Sequence, residues 1–237
     1  AERVGHVYTE VGGINLTEDV NRLLNATYAA DDDFMDSLYS YYQKGECFYP
    51  LWEKYNRIKF LKGLYNINKK TSRKIHLGLT DINFSWDSIH TVDDYKAFWT
   101  SLDKTNRDSL LSANFASMYE RQPLVKGTRK ALVITSQPHA ISYSGYFKPW
   151  DRDYGTQGWW MKKTFGEECV KIVVLNWFDW VLWNGQNCPM TGNGAWDAAF
   201  ERMGCRPFGI DFQDNPYGET NYNGPAGGGP SFIKGQK

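Results

Sequence analysis

The sequence predicts an α/β protein whose mainly parallel sheet has about five strands and carries helices on both faces. Short apolar segments alternate with longer amphipathic ones along the chain, which is the pattern of a layered α/β domain. Three of the short segments are near-continuous apolar runs, as expected of strands that are covered on both faces. Right-handed crossovers between parallel strands then place helices on both sides of the sheet.

The first half of the chain begins with a strand and continues with three helices. GHVYTEVG at 5–12 has strand character, and the helical segment 16–29 follows with Thr17 as a plausible N-cap. The segment 31–44 starts with three aspartates, which suit the positive end of a helix dipole. The third helical segment, 50–69, has Pro50 near its start and one apolar stripe.

The rest of the chain repeats the alternation. A strand is predicted at 74–81 and another at 130–135, with helices at 91–103 and 106–120 between them. Later elements are predicted in chain order: a strand at 170–177, a helix at 194–204 that ends on a C-cap glycine, and a strand at 207–212.

These elements predict a single α/β domain over residues 1–219, followed by a Gly/Pro-rich tail over residues 220–237. The 27 basic and 27 acidic residues balance, so no overall field favours nucleic acid. No apolar run approaches the roughly 20 residues that a membrane span requires. A secreted or extracytoplasmic location is the working hypothesis. Cys188 and Cys205 flank the predicted helix 194–204, and they either form a disulfide or remain thiols.

Polar side chains stand where the predicted strands end. In open α/β sheets, ligands bind outside the carboxyl ends of the strands. Glu10 and Asp81 lie among apolar or small residues, so we expect raised pKa values and a role as general acid or base. His139 follows the third predicted strand and is a candidate to share a proton with them. Two later strand ends supply Asn176 and Asp211.

A simpler explanation of these residues stays open. Strands give way to loops, and loops are polar in most proteins. His139 alone is equally well explained as a loop histidine that bonds to the backbone.

Aromatic residues follow the third and fourth predicted strands and predict a rim at the same edge. Aromatic faces beside carboxylates suit sugars, macrocycles or flat cofactors, and a basic side chain there suits an anionic group. The alternative is a loop anchored by its own aromatics. The residues predicted to bind substrate at this rim are Tyr143, Tyr146, Trp150, Arg152 and Trp177.

Several catalytic motifs are missing from the sequence. It has no Gly-x-Ser-x-Gly elbow, no Walker A loop and no dinucleotide-binding Gly-x-Gly-x-x-Gly after a strand. It also has no His-Glu-x-x-His and no Cys-x-x-Cys, so a peptidase or structural zinc site is disfavoured.

Five stretches together resemble the erythromycin-esterase-like and haem-uptake-like superfamily, which has the Tiki-like fold. They are HVYTEVG, LWEKYNRIKFLKGLYNIN, KIHLGLTDINFSW, the histidine after KALVIT, and PFGIDFQDNPYG. The resemblance implies an α/β protein with a cleft at the strand ends that Glu10 and His139 serve. That superfamily usually has a Gly-Glu-x-x-His loop, which this chain lacks. The resemblance therefore implies that the strand carrying the loop lies upstream of Ala1, so that the sheet lacks an N-terminal strand.

Two functions follow for a small-molecule substrate or ligand. In the first, Glu10 or Asp81, aided by His139, activates water in a hydrolase that cleaves an ester, lactone or similar bond. A divalent metal held by Glu10, Asp81, His139 and Asp211 is a variant of this scheme. In the second, the cleft holds haem, a glycan or another flat ligand without turnover, with His139 or Tyr143 as an axial ligand for haem. A domain that acts through partner contacts on its exposed aromatics is a third reading.

Overall fold

The computed structural model describes residues 4–43, 54–103, 105–122, 129–147 and 152–173, and short stretches between 182 and 206. The chain divides into two compact units, Ala1–Ser136 and Gln137–Lys237. Each unit is described by itself. The boundary falls inside the predicted domain of residues 1–219, and that assignment stays a prediction.

The first unit contains a three-stranded parallel sheet. Its strands are β1 (His6–Gly13), β2 (His76–Asp81) and β3 (Ala131–Ile134), in the order β2-β1-β3. They are the first three predicted strands, so the α/β class is confirmed. The count of about five parallel strands is not confirmed. Residues 170–173 of the fourth predicted strand have no strand structure, and the remainder of that strand, like all of 207–212, lies outside the described residues.

Among the described residues, five helices connect these strands, and all five were predicted. Three lie between β1 and β2, and two lie between β2 and β3. Short 3-10 helices precede the first and fourth of them, at Ile14–Leu16 and Trp86–Ser88. The helices are α1 (Thr17–Asn25), α2 (Asp31–Gln43), α3 (Lys54–Lys70), α4 (Val92–Asp103) and α5 (Arg107–Arg121).

Helices cover both faces of this sheet, as the apolar strands predicted. Val7, Leu77 and Leu79 belong to the core cluster formed with α1, α2 and α3. On the opposite face, Tyr8 meets Phe115 of α5 edge to face, with 4.8 Å between ring centroids. The chain moves from β1 outward to β2 and then back across β1 to β3. Two crossovers of the same hand that run in opposite directions must lie on opposite faces. The point where the direction reverses is therefore between β1 and β3.

Side chains satisfy the outer edge of β2, which pairs with no further strand in the described part of the chain. Asn21 of α1 accepts from the Leu77 N–H at 2.9 Å and donates to the Leu77 carbonyl at 2.6 Å. Asn68 of α3 does the same for Ile75, at 2.7 and 3.0 Å, and the Thr17 hydroxyl accepts from the Leu79 N–H at 3.2 Å. Three successive outward-facing N–H groups thus have partners, as buried backbone requires.

The second unit begins with a short helix, α6 (Gln137–Ala140), where the sequence predicted a strand end. An antiparallel hairpin follows, made of β4 (Ser144–Phe147) and β5 (Arg152–Gly155), and then helix α7 (Gln157–Phe165). The Thr156 hydroxyl accepts from the Trp159 N–H and so caps α7. A further antiparallel pair joins β6 (Leu182–Trp183) to β7 (Gln186–Asn187).

Other sequence predictions lie partly or wholly outside the described residues. Most of the helix predicted at 194–204 is among them, although Gly204 has the positive φ of 73° expected of a C-cap glycine. Cys205 is a free, exposed thiol, and Cys188 is outside the described part. None of the helices described is both long and apolar enough to span a membrane.

Candidate active site

The candidate site lies at the carboxyl ends of the parallel strands, where the chain direction reverses between β1 and β3. Open α/β sheets bind ligands at such a switch point. Glu10 of β1 is only 1% exposed. Its Oε1 accepts a hydrogen bond of 2.7 Å from the backbone N–H of Ser136, just after β3. The Glu10 carboxylate therefore connects the ends of these two strands.

Asp81, the last residue of β2, forms a bidentate ion pair with Arg107 at the start of α5. Arg107 Nε donates to Asp81 Oδ1 at 2.9 Å, and Nη2 donates to Oδ2 at 2.7 Å. The Asp81 side chain is 1% exposed, whereas that of Arg107 is 23% exposed. Asp81 Oδ1 also accepts from the Ile82 N–H at 2.8 Å. Hydrogen bonds thus hold both carboxylate oxygens of Asp81 in place.

Burial controls the ionisation of this pair. Desolvation raises the pKa of the Asp81 carboxyl above its usual value, the Arg107 guanidinium opposes that rise, and the nearby Glu10 charge adds to it. Burial alone would lower the pKa of Arg107, but hydrogen bonds and charge from Asp81, with the charges of Glu10 and Asp108, raise it. Arg107 therefore stays cationic throughout the range in which proteins are folded.

Three buried carboxyl groups surround this one arginine. Glu10, Asp81 and Asp108 are each at most 1% exposed, and all three interact electrostatically with Arg107. Among the three, desolvation and the nearby Glu10 charge raise the pKa of Asp81. A buried carboxyl group with a raised pKa has the property that a general acid or base needs.

The backbone around the cluster is fixed by side chains from both faces of the sheet. Arg57 of α3 is 7% exposed and donates to the Val11 carbonyl at 2.9 Å. Asn114 of α5 donates to the Thr80 carbonyl at 3.0 Å. Asn15 donates to the Phe84 carbonyl at 3.0 Å and accepts from its N–H at 3.2 Å. The turn after β1 is therefore tied to the loop after β2.

The predicted site residues fall into three groups. Glu10 and Asp81 lie at the same edge of the first unit's sheet. His139 lies half-buried in α6 of the second unit, Tyr143 precedes the hairpin, and Tyr146 is 57% exposed on β4. Arg152 begins β5. Four others lie outside the described residues, namely Trp150, Asn176, Trp177 and Asp211.

Sequence reasoning missed Arg107, Arg57 and Asp108. For Arg107 a signal was present, because a basic residue in the first turn of a helix opposes the helix dipole and is better explained by a carboxylate partner nearby. For Arg57 the sequence contained no signal, since its partner is a backbone carbonyl, a group that every residue carries.

The described part of the chain contains no group of three or more His, Cys, Asp and Glu side chains arranged to hold a metal ion. The metal set considered from the sequence includes Asp211, which is outside that part. Dependence on a divalent metal or on haem stays a prediction.

No protein-family model matches the chain, and no significant match was found among curated proteins or solved structures. The resemblance to the erythromycin-esterase-like and haem-uptake-like superfamily thus stays a prediction.

Proposed function

We propose that this protein is a hydrolase that cleaves an ester, lactone or similar bond of a small molecule by acid/base chemistry at the carboxyl ends of its parallel strands. The observation that supports the proposal best is the buried Glu10 carboxylate at the β1/β3 switch point, next to the Asp81–Arg107 pair. Desolvation and the nearby Glu10 charge raise the pKa of Asp81, and carboxyl groups perturbed in this way are frequent in active sites.

Glu10 is the proposed general base, and Asp81 has a supporting role. The hydrogen bonds from Arg107 and Ile82 engage both oxygens of Asp81, which limits the access of a water molecule to that carboxylate. For Glu10, the Ser136 N–H binds Oε1 and orients the group. Arg107 balances the charge that remains on the cluster.

The proposed reaction has two proton transfers. Glu10 takes a proton from water while the water oxygen forms a bond to the carbonyl carbon of the substrate. The tetrahedral intermediate then breaks its bond to the leaving alkoxide, which receives a proton. Glu10, protonated in the first step, supplies that proton, and a role of His139 as proton donor stays a prediction. His139 lies in the second unit, and its part in this step rests on its position after β3 in the sequence.

Glu10→Gln tests this mechanism. We expect it to lower the rate of ester or lactone hydrolysis by about 100-fold or more, the usual contribution of a general base, with unchanged circular dichroism. The substrates are a panel of p-nitrophenyl esters and aliphatic lactones. Glu120→Gln, at an exposed position of α5, is the matched control and keeps full activity. Equal rates for Glu10→Gln and the unmodified protein would refute the assignment of Glu10.

Ligand binding without turnover is the second candidate, and the second unit favours it. Tyr146 is 57% exposed on the hairpin, and Lys163 lies over the rings of both Trp159 and Trp160, at 4.9 and 5.1 Å from their centroids. Such surfaces bind flat ligands. A Soret band on adding haem, lost in both His139→Ala and Tyr143→Phe, would favour this function over hydrolysis.

The remaining expectations belong to the same proposal. The further parallel strands come from residues 174–177 and 207–212, and the protein works in a secreted or extracytoplasmic location.

A further inference from the structure

The loop after β2 and the start of α4 form an aromatic groove that the acid/base cluster does not use. The groove has a volume of about 410 Å³ and is lined by Trp86, Ile89, His90, Thr91, Val92 and Tyr95. This volume is within the usual range for small-molecule sites. We refer to these six residues as the aromatic groove.

Two aromatic rings of the groove are held in fixed orientations. Trp86 and Tyr95 stack with 5.8 Å between centroids and a 15° angle between planes. Phe84 contacts Trp86 edge-on at 5.0 Å, and Trp99 contacts Tyr95 edge-on at 6.1 Å. Trp86 is still 37% exposed. The rings therefore present preorganised π surface to solvent.

Two backbone N–H groups and the hydroxyl group of Thr91 in the groove form hydrogen bonds at the start of α4, which leaves the His90 imidazole as a polar side chain of the groove. The backbone N–H groups of His90 and Thr91 both donate to Asp94 Oδ2, at 3.0 and 2.8 Å. The Thr91 hydroxyl accepts from the Asp94 N–H at 3.1 Å. A sugar needs several hydrogen-bond partners beside its stacking face, so this groove suits a ligand with few hydrogen-bonding groups.

The charge around the groove is negative. Residues 85–96 contain three aspartates and a single lysine, and the lysine, Lys96, pairs with Asp93 at 3.2 Å. Asp87 adjoins Trp86, and Asp94 adjoins Tyr95. Hydrogen bonds from His90 and Thr91 hold the pKa of the Asp94 carboxyl below its usual range, which keeps that carboxylate ionised.

We propose that the aromatic groove binds a methylated ammonium group of an organic cation. Aromatic faces attract such cations through the ring quadrupole, and methyl groups on nitrogen make the cation weakly hydrated. Asp87 and Asp94 add long-range attraction. This inference is independent of the hydrolase proposal, since it concerns another cluster of side chains and a binding event without chemistry.

The test compares choline with its neutral isostere 3,3-dimethylbutan-1-ol, by calorimetry and saturation-transfer NMR on the whole chain. We expect choline to bind at least about fivefold more tightly than the alcohol, the preference that a cation–π contact gives. Trp86→Leu keeps an apolar side chain in the groove but removes the aromatic ring, so it should lower the affinity for choline about five- to tenfold. Asp87→Asn should lower the affinity for choline at low salt and leave the affinity for the neutral alcohol unchanged.

Tyr39→Leu is the matched control, because Tyr39 is a 44% exposed aromatic residue on α2, outside the groove. It should leave choline affinity unchanged. The proposal is wrong if choline and the alcohol bind equally, if neither binds at millimolar concentration, or if Trp86→Leu, folded by circular dichroism, binds choline like the unmodified protein.

Discussion

At the scale of single residues, the buried charges of the candidate site determine how the protein responds to mutation and pH. Asp81 and Arg107 form a bidentate pair in which the carboxylate is 1% exposed. Removing one partner of a buried pair is costly because the other charge stays buried without compensation. Glu10 and Asp108 increase the cost of removing Arg107, since both carboxylates interact electrostatically with its guanidinium group.

Arg107→Leu should therefore lower the free energy of unfolding by about 3 kcal/mol at pH 7. The loss should be smaller at pH 5, because the raised pKa of Asp81 means that more of this carboxyl group is protonated there. Urea unfolding at the two pH values measures both effects. Arg22→Leu is the control, because its pair with Asp19 is exposed, and surface pairs contribute less than about 1 kcal/mol. Equal losses for the two variants would contradict a special role for Arg107.

His76 gives a second residue-level prediction. Burial lowers its pKa in the folded state, and neighbouring His6 adds to the effect. The unfolded chain then binds more protons than the folded one, so this group costs stability as pH falls below the unfolded value of about 6.5. His76→Gln should remove part of the stability loss between pH 7 and pH 5. The exposed His90→Gln should not, and an unchanged pH profile for His76→Gln would count against this assignment.

At the scale of elements, the sequence predicted helices well where an acidic first turn marked the start, but the predicted N-cap was wrong: Thr17 is the first residue of α1 and Leu16 stands at the N-cap position. The segment 106–120 corresponds to α5, and the Asn106 side chain accepts from the Ser109 N–H as its cap. The hairpin β4–β5 was predicted as a loop. Strands of four residues show too little alternation to be distinguished from an aromatic loop. The segment after the third strand was predicted as a loop, but helix α6 begins there, three residues after the end of β3.

The side chains along the edge of β2 support a prediction at this scale. Asn21→Ala leaves the N–H and carbonyl of Leu77 without their partners in a buried position. We expect a loss of about 2–3 kcal/mol, as is usual for unsatisfied buried polar groups. Asn66→Ala, at an exposed position of α3, is the matched control with a loss below about 1 kcal/mol. Thermal or urea unfolding measures the two stability losses. Nearly equal losses for Asn21→Ala and Asn66→Ala would show that water takes over the hydrogen bonds of Asn21.

At the scale of the whole molecule, the topology of the first unit explains which parts of the site the sequence could predict. The carboxyl ends of parallel strands share one edge, so the positions of Glu10 and Asp81 followed from strand pattern alone. The strand order β2-β1-β3, and with it the switch point, depends on which face each crossover covers. That choice depends on packing between distant residues. Arg107 was missed for the same reason, since its partner is 26 residues away along the chain.

The amide and hydroxyl side chains along β2 also determine whether another polypeptide can add a strand to this edge of the sheet. A bare edge strand is a template on which a second polypeptide adds its own strand, and this is a common first step in aggregation. Here Asn68, Asn21 and Thr17 already hold the outward N–H groups of Ile75, Leu77 and Leu79. A strand from another molecule would have to displace all three side chains and break their buried hydrogen bonds. In the folded state, the described sheet therefore offers no open row of N–H groups along β2 to which a second chain could add a strand.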